Sequence, residues 1–246
     1  MKLQTTASTL RERSPAPAYG FGDLPRLMSY MTGDEKHGPS ATSTLDVLWV
    51  LYDRILRIDP ARPNDEERDR FLLSKGHGPM AYYAVLAAKG FFDAELLRGW
   101  CGYDSPLGLH PDRNLVPGVE IASGSLGHGL PLALGVSLGL RARDNRSRVF
   151  CLVGDAELDE GSNHEAIAVA PRMGLDALTV IAIDNQSSTL MWPGGIARRF
   201  EIEGWSAATV DGRDHAAIEE ALKAPQTGEA HPHRPRAVVA VVEKKQ

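Results

Sequence analysis

The sequence predicts an α/β fold: a doubly wound, mostly parallel sheet with helices on both faces. Three observations lead there. Two apolar, β-branched runs, residues 149–153 and 178–183, flank an amphipathic segment, which reads as strand, helix, strand. Three further strand-like runs, at 69–74, 205–210 and 237–242, alternate with helix-like segments elsewhere in the chain. Polar residues stand where the central strands end, Asp155 after the first and Asn185 after the second. In an open parallel sheet such positions converge on one crevice outside the carboxyl ends of the strands. A carboxylate and an amide oxygen brought together there suit a hard cation carrying a diphosphate.

In chain order, residues 1–20 are polar and rich in Pro and Ala, and predict a flexible arm ahead of an α/β domain over 21–246. A short helix is expected over 24–31. A turn-rich stretch at 37–43 should lead into an apolar helix over 44–58, with Leu45, Leu48, Leu51 and Ile55 at helical spacing and Pro60 as its stop. The buried strand at 69–74 runs into Lys75, Gly76, His77 and Gly78. A helix over 80–89 follows, with Gly90 as its C-terminal stop. The glycine-rich 124–129 segment opens another apolar helix to about 143. After Gly161, the run Ser162, Asn163, His164, Glu165 fits a capping box, which would place a helix start beside the cation site and favour an anion there. Residues 214–223 read as an amphipathic helix before the last strand.

Composition narrows the function classes. The 246 residues carry a formal net charge of -5, so nothing suggests a nucleic-acid footprint. Hydrophobic residues at 43% and charged residues at 24% are ordinary for a soluble globular protein. The two cysteines, Cys101 and Cys151, are far apart, and Cys151 falls in a predicted buried strand. A disulfide framework or zinc site is therefore not expected, and a cytoplasmic setting is. No apolar run is long enough to cross a membrane.

Gly154, Asp155 and Ala156, followed some tens of residues later by Asp184 and Asn185, resemble the thiamine-diphosphate and metal motif of a large enzyme superfamily. Residues 69–78, 124–129, His37, Gly204-Trp205 and 211–214 resemble, in the same order, the N-terminal domain of transketolase. The resemblance spans roughly residues 24–242 and implies a thiamine-diphosphate-binding fold. It implies a metal, Mg²⁺ or Ca²⁺, held by Asp155, Asn185 and the backbone carbonyl of Ser187. By the same resemblance Gly124, Ser125 and Leu126 lie beside the cofactor's rings, and Gly154, Asp155, Ala156, Glu157 and Asn185 also bind the cofactor. His77 and His110 fall near the diphosphate and the reacting substrate, His37 near substrate hydroxyls, and Glu160 and Glu165 at a subunit interface where they link paired cofactors. Imidazole suits those places because it can donate to phosphate or carry a proton near neutral pH.

The resemblance further implies the N-terminal subunit of a split transketolase. Its partner subunit would carry the pyrimidine-binding and C-terminal domains, with the glutamate that activates the cofactor, in an α2β2 assembly. The expected reaction is transfer of a two-carbon ketol unit from a ketose or 2-oxo donor to an aldehyde, and this chain alone should be inactive. Two departures keep other readings open. Ala156 replaces a usual glycine, at a cost of roughly 1–2 kcal/mol if the position needs positive φ. Residues 241–246 end without the family's Lys/Gly-rich loop and its histidine. The alternatives are an α-type subunit of a 2-oxoacid dehydrogenase, a two-carbon transferase that loads a carrier protein, or a non-catalytic scaffold half.

Overall fold

The computed structural model describes residues 19–33, 38–190, 192–223 and 233–244. Most of the expected N-terminal arm, and His37, lie outside the described residues. Among these residues, five strands form one all-parallel sheet: β1 (Arg70–Leu73), β2 (Val149–Gly154), β3 (Leu178–Asp184), β4 (Ser206–Asp211) and β5 (Arg236–Val241). Their order across the sheet is β1-β2-β3-β5-β4, so the chain steps outward to β4 and returns to fill the gap with β5. β1 and β2 are buried along their whole length, as strands covered on both faces must be. β1 and β4 are the two edge strands, and β4 is largely exposed.

Alternate residues of each strand enter two separate apolar layers, the period-2 consequence of the pleat. Phe71, Phe150, Leu152, Ile181 and Val238 face one layer, where they pack with α2 (Gly38–Val50), α3 (Pro79–Ala88) and Ile218 and Leu222 of α7 (His215–Leu222). The short α1 (Leu24–Met28) caps this layer with Leu24 and Leu27. Leu72, Cys151, Val153, Val180 and Val239 face the other layer. There they meet α4 (Gly129–Ala142), α5 (Gly161–Arg172) and α6 (Ile196–Glu203) through Leu130, Ile167 and Phe200. Helices thus cover both faces, as the sequence predicts.

Asp69 anchors the edge of the sheet opposite the crevice. Its buried carboxylate accepts from the Arg57 amide at 2.9 Å, the Arg148 amide at 2.9 Å, and both guanidinium groups. Burial works against its ionisation, yet these donors hold it below the usual carboxylate range.

Two elements depart from the sequence reading. α2 starts at Gly38, six residues ahead of the expected 44, and gives way to a π-helical turn at Leu51–Ile55, after which Leu56 is extended. Pro39 falls in its first turn, where a backbone N–H would have no intrahelical partner, so Gly-Pro opens this helix instead of forming a turn. The capping box is also absent. Glu160 is the N-cap of α5 without a side-chain cap, and the Ser162 hydroxyl instead donates to the Gly127 carbonyl at 2.6 Å. Gly90, in contrast, stops α3 as expected, at φ 80°, with its N–H on the Ala87 carbonyl.

Candidate active site

Three strands deliver the crevice. β1 ends in Ser74 to His77, β2 in Asp155 and β3 in Asn185, all at carboxyl ends. Register brings the last two together. Gly154 pairs with Ile183, and the Asp155 amide extends the ladder to the Ile183 carbonyl at 3.0 Å.

Asp155 is 1% exposed, and its carboxylate organises the chain beyond Asn185. One oxygen accepts from the Ala156 amide at 2.9 Å and the Ser187 hydroxyl at 2.6 Å. The other accepts from the Ser187 amide at 2.6 Å and the Ser188 amide at 3.2 Å. Asn185 is 3% exposed, and its side-chain oxygen has no hydrogen-bond partner. A buried acceptor left without a donor costs about 1–3 kcal/mol, so such atoms call for an explanation. Oxygen donors at the ends of adjacent strands fit a hard cation, which needs no imidazole or thiolate. Among the described residues no group of three His, Cys, Asp or Glu side chains could hold a metal.

Ala156 is not among the residues at positive φ; it opens a short 3₁₀ turn, Ala156–Asp159. The alanine therefore carries no left-handed strain. Gln186 carries it, at φ 57°. A non-glycine residue held there costs about 1–2 kcal/mol, and the Gln186 side chain is exposed. Gln186→Gly should raise stability by about 1 kcal/mol, part of the relief being offset by the freer unfolded chain. Thermal unfolding checks this, with a rise in Tm of about 2–4 °C expected for a domain of this size.

Behind Asp155, Glu157 is 2% exposed and faces inward. It accepts from the Ser74 hydroxyl, from the Gly127 amide at 3.1 Å and from the Gly154 amide at 3.3 Å. Ser74 in turn accepts from the Gly129 amide at 3.0 Å. A side chain at Gly129 would collide with Ser74, so that position must be glycine. Burial pushes the Glu157 carboxyl up, against the pull of these donors and of nearby Lys75. The resemblance assigns Glu157 to the cofactor; its carboxylate also ties the ends of β1 and β2 to the 124–129 loop.

That loop and the His77 loop are in contact. A Cβ on Gly76 would lie 3.2 Å from Leu126, and one on Gly124, at φ 130°, would lie 2.7 Å from the His110 ring. Gly124 thus allows the imidazole to pack directly on backbone. His77, His110, Ser125 and Leu126 are exposed around this junction. His77 also lines a small pocket of about 10 Å³ with Met80, Trp100 and Leu109. That is far below the roughly 300–1,000 Å³ of a small-molecule site, so this pocket by itself encloses no ligand. Glu160 is exposed at the start of α5, and Glu165 is exposed one turn further along.

Sequence reasoning missed Asp159 and Ser188. The Asp159 carboxylate accepts from the Ser188 hydroxyl at 2.8 Å, the Thr189 amide at 3.0 Å, the Thr189 hydroxyl at 3.2 Å, the Leu190 amide at 3.4 Å and the Trp192 indole at 3.4 Å. Partial burial opposes its ionisation, but these donors hold it below the usual carboxylate range. The Asp-x-x-x-Asp spacing from Asp155 to Asp159 was the available signal.

An all-parallel doubly wound sheet with a carboxylate and an orphan amide oxygen at adjacent strand ends defines an α/β protein with a polar ligand crevice outside the carboxyl ends of its strands. Comparison with known proteins gives the family. Residues 31–241 match the model described as "Transketolase, thiamine diphosphate binding domain", and the chain belongs to that family. It is 55% identical over 231 residues to "Ferredoxin fas2" of Rhodococcoides fascians, covering 94% of this chain and 74% of that protein. It is 33% identical over 202 residues to an apulose-4-phosphate transketolase subunit of Actinobacillus succinogenes, covering 79% of this chain and 73% of that one. Among solved structures, transketolase from Campylobacter jejuni superposes with a TM-score of 0.72 at 25% identity, over 91% of this chain and 38% of that one. The chain therefore spans well under half of such a transketolase. Despite the first relative's name, two cysteines, one buried in β2, cannot supply the four thiolates of a ferredoxin cluster.

Proposed function

We propose that this chain is the diphosphate-binding subunit of a split, transketolase-like transferase acting on a ketose or 2-oxo donor and an aldehyde acceptor. The observation that carries the reading is the buried, partnerless Asn185 oxygen beside Asp155 at the ends of β3 and β2. Asp155, Asn185 and the Ser187 carbonyl would hold Mg²⁺ or Ca²⁺ with two diphosphate oxygens. Thiamine diphosphate, when bound, supplies the electron sink for cleaving and forming the carbon–carbon bond. This chain contributes position and proton handling. Gly124 to Leu126 offer backbone and one exposed apolar side chain to a flat ring. His77 and His110 present imidazoles at the cleft mouth, where they can donate to phosphate or exchange a proton with substrate oxygen; His37 is assigned to substrate hydroxyls.

A partner subunit carrying the pyrimidine-binding domain completes the site, in an α2β2 assembly with Glu160 and Glu165 at the junction. Support comes from relatives named as subunits of transketolases, one for apulose-4-phosphate and one for 6-deoxy-6-sulfo-D-fructose, each matched over nearly three quarters of its length. No helix among the described residues is long and apolar enough to cross a membrane, and we assign the protein to the cytoplasm. The scaffold reading loses one of its two supports, because Ala156 is unstrained.

Mixing the chain with its partner, thiamine diphosphate and Mg²⁺ should give ketol transfer, followed by donor consumption and acceptor extension. Neither chain alone should turn over. A donor panel of ketose phosphates, 2-oxo acids and carrier-protein acceptors separates transketolation from carrier loading. Failure of the pair to bind the cofactor would sink the proposal.

A further inference from the structure

We infer that Asp159 is a positioning residue for the cation site, stapling the loop that presents Ser187 so that its carbonyl and Asp155 stay in ligating register. The inference rests on the metal reading above and deepens it. Asp155 and Asp159 bracket the 3₁₀ turn Ala156–Asp159, and both turn their carboxylates onto the same stretch of chain beyond β3. Asp155 holds Ser187 and Ser188; Asp159 takes over at Ser188 and continues to Trp192. Ser188 is the shared link, with its amide on Asp155 and its hydroxyl on Asp159.

The described part of this loop contains no helix or strand and includes the strained Gln186. Asp184 accepts from the Gln186 amide at 3.1 Å and Asp155 from Ser187 and Ser188, while the Thr189 and Leu190 amides both go to Asp159. Without Asp159, the Thr189 and Leu190 amides turn to water, since both residues are exposed, and the Ser187 carbonyl loses its fixed aim. The staple is reinforced from the other side. The Trp192 ring stacks on His164 of α5, with centroids 5.1 Å apart and planes 4° apart. Metal affinity depends on such outer-shell order; removing a partner of that kind typically costs about 10–100-fold.

The test uses terbium(III), an oxygen-seeking stand-in for Mg²⁺ and Ca²⁺, bound to the full chain and excited through tryptophan. Trp192 reports on the loop because it is linked to Asp155 through Asp159 and Ser188. The wild-type chain should show sensitised emission that Mg²⁺ with inorganic diphosphate displaces. Asp159→Asn should weaken Mg²⁺ competition about tenfold and lower the emission per bound ion, because an amide cannot accept from all five donors. Ile218→Val, a core change in α7 far along the chain from the loop, serves as a stability control and should leave both readings at wild type. If Asp159→Asn binds within twofold of wild type while Asp155→Asn loses the signal, Asp159 is structural only and this inference falls alone. If the wild-type chain gives no sensitised emission, the metal reading falls and takes this inference with it.

Discussion

Asp155→Ala abolishes binding of thiamine diphosphate and Mg²⁺ to the assembled enzyme, a loss expected to be on the order of a hundredfold or more. Outer-shell changes alone reach about that figure, and Asp155 would touch the ion itself. On the proposed metal site, the substitution removes the only anionic ligand from the protein, leaving it the Asn185 amide and a backbone carbonyl, both neutral. It also frees four donors, at Ala156, Ser187 and Ser188, that fix the loop beyond β3. Those donors lie near the surface and regain water, so the fold should lose only about 1–2 kcal/mol. Asp155→Asn separates the two effects, since its amide keeps one acceptor oxygen while losing the charge. Titration calorimetry of the complex with cofactor and Mg²⁺ decides the matter. Binding of Asp155→Ala at wild-type affinity would overturn the metal assignment, and loss of folding in Asp155→Asn would show the carboxylate to be structural.

The fold was legible wherever one physical signal dominated. β2 and β3 are largely apolar runs because both of their faces are covered, and the two flanking layers follow from their pleat. Gly90 could be read as a stop because a left-handed C-terminal residue favours glycine. Misreadings arose where one residue type serves two roles. Gly38-Pro39 reads as a turn, yet proline is equally at home in the first turn of a helix. Ser162 and Glu165 have capping-box spacing, but the hydroxyl is spent on a carbonyl 35 residues away in sequence, and no local pattern reports that. The site divides in the same way. Asp155 and Asn185 are legible because strand ends converge. Glu157 and Asp159 are acidic residues on one short turn, and only the folded chain shows that one faces inward and the other the loop.

Glu157→Ala carries the largest stability effect in the crevice. Its carboxylate is the common acceptor for the Ser74 hydroxyl and the Gly127 and Gly154 amides, and it lies in a position almost without solvent. Deleting it strands up to three buried donors, at about 1–3 kcal/mol each. Against this stands the relief of a buried charge, whose desolvation costs several kcal/mol. Water entering the space left behind would satisfy some of the donors. The donors should win, because three of them converge on the carboxylate and a neutral methyl satisfies none. A net loss of about 3 kcal/mol follows, or roughly 6–12 °C in Tm for a domain of this size. Glu157→Gln should cost about half as much, since its carbonyl can still accept from Ser74 and Gly127, which share one oxygen, while its amide nitrogen opposes the Gly154 N–H. Thermal unfolding of the three proteins ranks them. An Ala variant as stable as wild type would show that desolvation outweighs the hydrogen bonds, and the loops would then be held by their remaining contacts, among them the Ser162–Gly127 and Gly129–Ser74 hydrogen bonds.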